Sequence, residues 1–174
     1  MDDGLLMGYP SVRERLGLDA RERSEDRQLL FSAQQTVENF MDRTLTVHDF
    51  EMVQTAEDGC VILEELNPVG VELVRDMTAG ETLESGWRLL NDRVLLGGGR
   101  NGHDVLVRYS VGYTKETLPQ VFKESLLLLF LHRKAVLRNM RKGGMTAAEF
   151  AAAADATMPE SVRELLEPYR RKRW

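Results

Sequence analysis

The spacing of apolar and polar positions changes period twice along the chain, from helical to extended and back to helical. Leu30, Ala33, Val37, Phe40 and Met41 recur at i, i+3, i+7, i+10 and i+11, which is one apolar stripe on an amphipathic helix. Asp19 followed by Glu22 is a capping-box pairing, so this helix is expected over about 19–43. A shorter turn of helix is expected from Ser11 to about Leu16. From about 44 to 113 the period falls to two. Leu45 and Val47 alternate with polar neighbours, the stretch Cys60 to Leu66 is apolar and β-branched at its start, and Asn67-Pro68 marks a break because proline cannot donate to a ladder. Val69, Val71, Leu73 and Met77 continue in extended form. Trp87 to Leu90 and Arg93 to Leu96 flank Asn91-Asp92, a two-residue hairpin turn. After a second turn at Asn101-Gly102, Val105, Val107, Tyr109 and Val111 share one face of a strand.

Pro119 opens a long helix expected to about 141. Its middle, Leu126 to Leu131, is apolar all round, which calls for cover on more than one side. Arg133, Lys134, Arg138, Arg141 and Lys142 gather toward its C-terminal end, where the helix dipole favours cations. Gly143-Gly144 stops it. Thr146 and Glu149 form a capping box for a short helix over about 146–156. Val162, Leu165, Leu166 and Tyr169, behind a first-turn Pro159, predict another over about 159–169. A basic tail, 170–174, closes the chain. The pattern predicts an α+β, mainly α fold: a single domain over 1–174, a helical bundle with a small antiparallel sheet or hairpin inserted between the first and the long central helix. No internal repeat or low-complexity linker divides it.

Composition narrows the function classes. Hydrophobic residues are 43% and charged residues 29% of the 174, enough for a packed core and too apolar for wholesale disorder. Aromatics at 7% argue against a stacking platform for single-stranded nucleic acid, and a net charge of −5 disfavours the surface as a general nucleic-acid binder. The longest apolar run is far short of the ~20 residues that cross a bilayer, so no membrane association is expected. Met1-Asp2-Asp3 lacks the basic and apolar regions of a secretion signal. Cys60, the single cysteine, excludes an internal disulfide and suits a reducing compartment, so synthesis in a cytoplasm is expected.

Candidate chemistry is sparse. His48, His103 and His132 show no i, i+4 pairing for a metal, and Cys60 reads as a buried structural thiol. Gly97-Gly98-Gly99-Arg100-Asn101-Gly102 lacks the Lys-Ser/Thr of a phosphate loop and leads into a strand, where both phosphate cradles need a helix. It reads as a mobile hairpin loop able to reorder against a partner or a channel. Glu64, Glu65, Glu81 and Glu84 read as solvated. No catalytic residue, metal ligand or cofactor site is expected, and the chain is not expected to be an enzyme. Arg170, Arg171, Lys172, Arg173 and Trp174 combine four cations with an aromatic, a composition common at interface hot spots.

An ordered set of segments resembles the head-tail connector, or head-completion adaptor, proteins of tailed phages and related prophages. The segments are Glu38 to Thr44 at the end of the first helix; Leu66-Asn67-Pro68-Val69-Gly70-Val71-Glu72-Leu73-Val74; Val107 to Tyr113 followed by Leu118-Pro119 and the long helix with Arg133; and Leu165 to Arg171. Asn67-Pro68 stands where the family often has two prolines, and Gly143 to Met158 is an enlarged connection. The resemblance implies a ring, commonly of about twelve copies, that sits under a portal protein and extends its DNA channel. It further implies that the ring receives a stopper or tail-completion protein and passes packaged DNA without reading its sequence. The location implied is the neck of a virion. The C-terminal tail is then the expected contact with the portal. The competing expectation is a small nucleic-acid-binding or regulatory module using the basic helix end and tail.

Overall fold

The structure, a computed structural model, describes residues 4–18, 24–65, 67–143 and 158–171. The chain divides into two compact units, one from the described parts of Met1–Arg43 and Lys115–Trp174 and the other Thr44–Thr114.

The first unit is helical: α1 (Tyr9–Leu16), α2 (Ser24–Met41), α3 (Gln120–Gly143) and α4 (Glu160–Leu166), with a 3₁₀ turn at Glu167–Tyr169. The α2 stripe read from the sequence is the buried face: Leu30, Ala33, Val37 and Met41 are all in the core, with Phe40 at its margin. Against it α3 places Phe122, Leu126, Leu129, Phe130 and Met140, and α4 adds Val162 and Leu166. Phe122 meets Tyr169 edge to face, with centroids 5.0 Å apart. Arg133 is fully buried and reaches α2, where Nη1 donates to Ser32 Oγ and Nη2 to Thr36 Oγ1 at 2.6 Å. The two hydroxyls are four residues apart and therefore lie on one face of α2. Lys134 Nζ donates to the buried carboxylate of Asp26 at 2.8 Å. Two of the five cations assigned above to the helix dipole are thus bound to α2. Ahead of α1, the side chain of Gln34 accepts from the Leu6 N–H at 2.9 Å and donates to the Gly4 carbonyl at 3.1 Å, anchoring the buried run Leu5 to Met7.

The second unit consists of β1 (His48–Thr55), β2 (Cys60–Ile62), β3 (Pro68–Asp76), β4 (Glu81–Thr82), β5 (Trp87–Leu90), β6 (Arg93–Leu96) and β7 (Asp104–Val111). These form a four-stranded sheet in the order β1-β7-β3-β4 and a three-stranded sheet β2-β6-β5, with all strand pairs antiparallel. Val105, Val107, Tyr109 and Val111 of β7 point into a core shared with Val61 and Val94 of the small sheet and with Leu63 and Leu83. Trp87 and Leu89 pack at its edge.

Three expectations are corrected. The fold is not mainly α with a small hairpin. It is a mixed α/β chain in which seven strands among the described residues make two sheets. The strands of the small sheet and β4 are two to four residues long, so each carries little periodic signal, and β1 meets β7 only across separations of 49 to 63 residues. Leu126, Leu127, Leu129 and Phe130 are buried on α3, which packs against both α2 and α4, while Leu128 and Leu131 remain 40% and 39% exposed and leave one side of its apolar middle open. Cys60 is half-buried. Glu65 is buried, its N–H donating to the Tyr109 hydroxyl at 3.3 Å. The Asp19–Glu22 capping box and the 146–156 helix lie outside the described residues. Pro159 stands at the N-cap of α4.

Candidate functional site

The glycine run joins β6 to β7, and its geometry is set from both ends. At the β6 end the Gly97 N–H donates to the Gly86 carbonyl at 2.6 Å, and a Cβ at position 97 would stand 2.9 Å from that oxygen. At the β7 end the Gly102 N–H donates to the Ala56 carbonyl and the Ala56 N–H to the His103 carbonyl, each at 2.8 Å. The Asp58 N–H donates to Asn101 Oδ1 at 2.9 Å.

Arg100 closes the loop from within. Its guanidinium donates to the Gly97 carbonyl and to Glu81 Oε1, the latter at 2.7 Å, and lies 3.3 Å from Asp76 Oδ2. Asp76 is fully buried; its Oδ1 accepts the Ala79 N–H at 2.8 Å and its Oδ2 stands 2.7 Å from His103 Nδ1. The Ala79 N–H, then His103 and Arg100, hold the Asp76 carboxyl below the usual aspartate value against the opposing effect of burial. Glu81 foremost, with Asp76, raises Arg100 above the usual arginine value. These residues form a clasp across β3, β4 and the loop, leaving Gly98 and Gly99 exposed at the tip. The His103–Asp76 pair is the kind of contact that orients a catalytic imidazole. Here the same carboxylate oxygen also faces Arg100, and the carboxylate fastens the loop. Sequence reading singled out the glycines and Arg100 but missed Asp76 and Glu81. The available signal was a lone arginine inside a glycine run, whose charge needs a counterpart.

The outer face of the large sheet carries a second polar array. Arg108 Nε and Nη2 both donate to Glu51 Oε2, at 2.9 and 2.6 Å, and Ser110 Oγ stands 3.0 Å from Asp49 Oδ1 and 3.4 Å from Glu72 Oε1. Glu51 raises the Arg108 guanidinium above its ordinary value.

In the helical unit the first two residues of the basic tail fold back. Arg170 lies over the Phe40 ring at 5.4 Å, and the Arg171 N–H donates to the Met41 carbonyl at 2.9 Å, capping the end of α2. Lys172, Arg173 and Trp174 lie outside the described residues. His48 Nδ1 stands 2.8 Å from the Thr46 carbonyl, and His132 is half-buried on α3. Among the described residues no three His, Cys, Asp or Glu side chains gather as a metal site, and no helix is long and apolar enough to cross a membrane.

No family model matches the chain, and no curated protein matches it. Solved structures do. A chain from the "Virion of native gene transfer agent (GTA) particle" aligns with a TM-score of 0.58 at 20% identity, covering 99% of this chain and 93% of that one. A chain from the "Neck of empty GTA particle computed with C6 symmetry" gives 0.56 at 19%, covering 100% and 94%. Another, from the "Neck of native GTA particle computed with C12 symmetry", gives 0.54 at 20%, covering 100% and 93%. This chain shares, over essentially its whole length, the fold of chains taken from the neck and virion of a gene transfer agent particle.

Proposed function

We propose that this chain is a structural neck subunit, a head-tail connector of a tailed phage or phage-like particle, without a catalytic role. It is made in the host bacterial cytoplasm and resides in the virion neck. One observation carries the reading: the fold likeness to neck chains spans both partners almost end to end. The connector-like order of segments from Glu38 to Arg171 supports it independently.

In its finer form the proposal is a homo-oligomeric ring of about twelve copies, a closed cyclic assembly built by one repeated head-to-tail contact. The ring sits under the portal protein, continues the DNA channel without reading base sequence, and receives a stopper or tail-completion protein. Leu128 and Leu131, a turn apart and exposed on α3, offer apolar area to a neighbouring copy. The tail beyond Arg171 is the contact to the portal, because Arg170 and Arg171 already hold its root on α2. The exposed tip at Gly98 and Gly99 is the part of the loop free to meet a partner or the channel.

The test is negative-stain microscopy of the chain alone and mixed with the portal encoded beside it. A ring, or a new layer under the portal, is expected. Removal of Lys172 to Trp174 should abolish the layer and leave the fold intact. A layer that survives discards the tail contact and keeps the connector. Absence of both ring and portal binding overturns the connector. Salt-dependent DNA binding in its place would favour the nucleic-acid module.

A further inference from the structure

The edge strands of the two sheets are unequal. Those of the small sheet, β2 and β5, are three and four residues long, and β4 of the large sheet is two. β4 pairs only with Arg75 and Asp76 of β3. The rest of β3 begins at Pro68 and carries register shifts between Pro68 and Gly70 and between Val71 and Leu73. Short strands, proline and bulges are the devices that keep a sheet edge from pairing further. β1 has none of them. It ends the large sheet, runs for eight residues without proline or glycine, and keeps an unbroken register against β7 from His48 to Thr55.

The bond from the Ala56 N–H to the His103 carbonyl, at 2.8 Å, sets the phase of that ladder. Gln54, Met52, Phe50 and His48, at alternate positions before Ala56, turn their backbone groups toward β7. Asp49, Glu51, Val53 and Thr55 turn theirs outward, each with one N–H and one carbonyl. No described residue bonds to those groups, and all four residues are exposed. Such a row is a template for one more strand.

Net charge selects that strand. The sheet unit, Thr44–Thr114, holds twelve Asp and Glu against five Arg and no Lys, a net of −7 with His neutral, while the whole chain carries −5. Whatever pairs form inside the unit, its carboxylates outnumber its cations by seven, and the Glu51–Arg108 pair is already included in that count. Asp49 and Glu51 stand on β1 itself. A second copy of β1 would bring a unit of the same net charge alongside and is the poorer occupant; a cationic segment is the better one.

We infer that β1 takes up an extended segment of a partner protein, one in which lysine or arginine alternates with apolar residues, as a further strand of the large sheet. Its backbone completes the outward row. Its cations lie on the face of Asp49 and Glu51, and its apolar side chains on the face of Phe50 and Met52.

The test uses the full chain and a fluorescein-labelled peptide of alternating lysine and valine, read by fluorescence anisotropy. The glutamate–valine counterpart reverses the charge, and a fully N-methylated lysine–valine counterpart keeps the charge but has no backbone N–H to donate. Each should bind at least about tenfold weaker. By nuclear magnetic resonance, the amide protons of Asp49, Glu51, Val53 and Thr55 should exchange fast in the free chain. The bound peptide should slow them at least about tenfold. Val53→Pro removes one outward donor and leaves the bonds to β7 in place, so it should weaken binding about five- to tenfold. If that variant fails to fold by circular dichroism, the four amides carry the test. Equal binding of either counterpart, binding without protection of the four amides, unchanged binding to folded Val53→Pro, or no binding each overturns the proposal. Protection of the same amides in the chain alone as its concentration rises assigns the edge to a second copy and overturns it as well.

Discussion

Replacing Gly112 with alanine isolates how the sheet unit is closed after β7. Gly112 has φ +108°, and a Cβ there would stand 2.5 Å from the Thr46 carbonyl oxygen, 2.7 Å from its carbon and 2.9 Å from the Leu45 oxygen. All three are backbone atoms and cannot rotate away. The same segments are joined by the Tyr113 N–H donating to the Leu45 carbonyl at 2.8 Å and by a bridge between Thr46 and Tyr113. An alanine must therefore both hold a disfavoured φ, at about 1–3 kcal/mol, and push the 45–46 segment away, at a further ~1–3 kcal/mol. The sum, about 2–6 kcal/mol, corresponds to a fall of roughly 5–20 °C in the melting temperature of a chain this size. Scanning calorimetry with far-ultraviolet circular dichroism is the assay, because two compact units can melt separately and the loss should fall on the sheet unit. Gly99→Ala is the control. Its φ is +71° and nothing lies within 4 Å of the added carbon, so only the backbone cost of about 1 kcal/mol applies. Equal destabilisation by the two substitutions would refute the steric argument.

Other consequences follow from the same geometry. Asp76→Asn tests the clasp: the folded-state carboxyl lies below its ordinary value of 3.8, so its contribution to stability is present above that value and lost as pH falls through the lowered folded value. The wild type should lose stability in that acid window, and the variant, less stable at neutral pH, should show a flatter acid limb in melts against pH. Gln34→Ala removes both bonds to the N-terminal run and strands the Leu6 amide, an expected loss of about 1–3 kcal/mol in urea unfolding. Leu128→Lys with Leu131→Lys should lower the melting temperature only slightly, since both residues already reach solvent, and should remove rings or portal layers from micrographs. Intact rings would move the copy-to-copy contact elsewhere.

Sequence reading succeeded where a local period mirrors burial. The α2 stripe and the alternation in β7 each name one buried face within one element, and Asn91-Asp92 specifies its own hairpin from two residues. It failed where a partner was distant. Leu126 to Leu131 reads as apolar all round because six residues wrap the helix, yet which side stays open depends on where α2 and α4 pack. Glu65 looked solvated because it fits no pairing visible in the sequence, while its actual environment is set by Tyr109 of β7. The glycine run was visible, but the carboxylates that hold it lie on β3 and β4.

The amino-acid order alone thus determined the α2 and α3 helices, the Asn91-Asp92 turn and the buried faces of α2 and β7, because each depends on residues within about one or two turns of one another. The tertiary structure decided the two-sheet architecture and the clasp of Asp76, Glu81, Arg100 and His103. Those depend on which distant strands and helices pair, and pairing is settled by the burial of whole faces against each other, which no local period encodes.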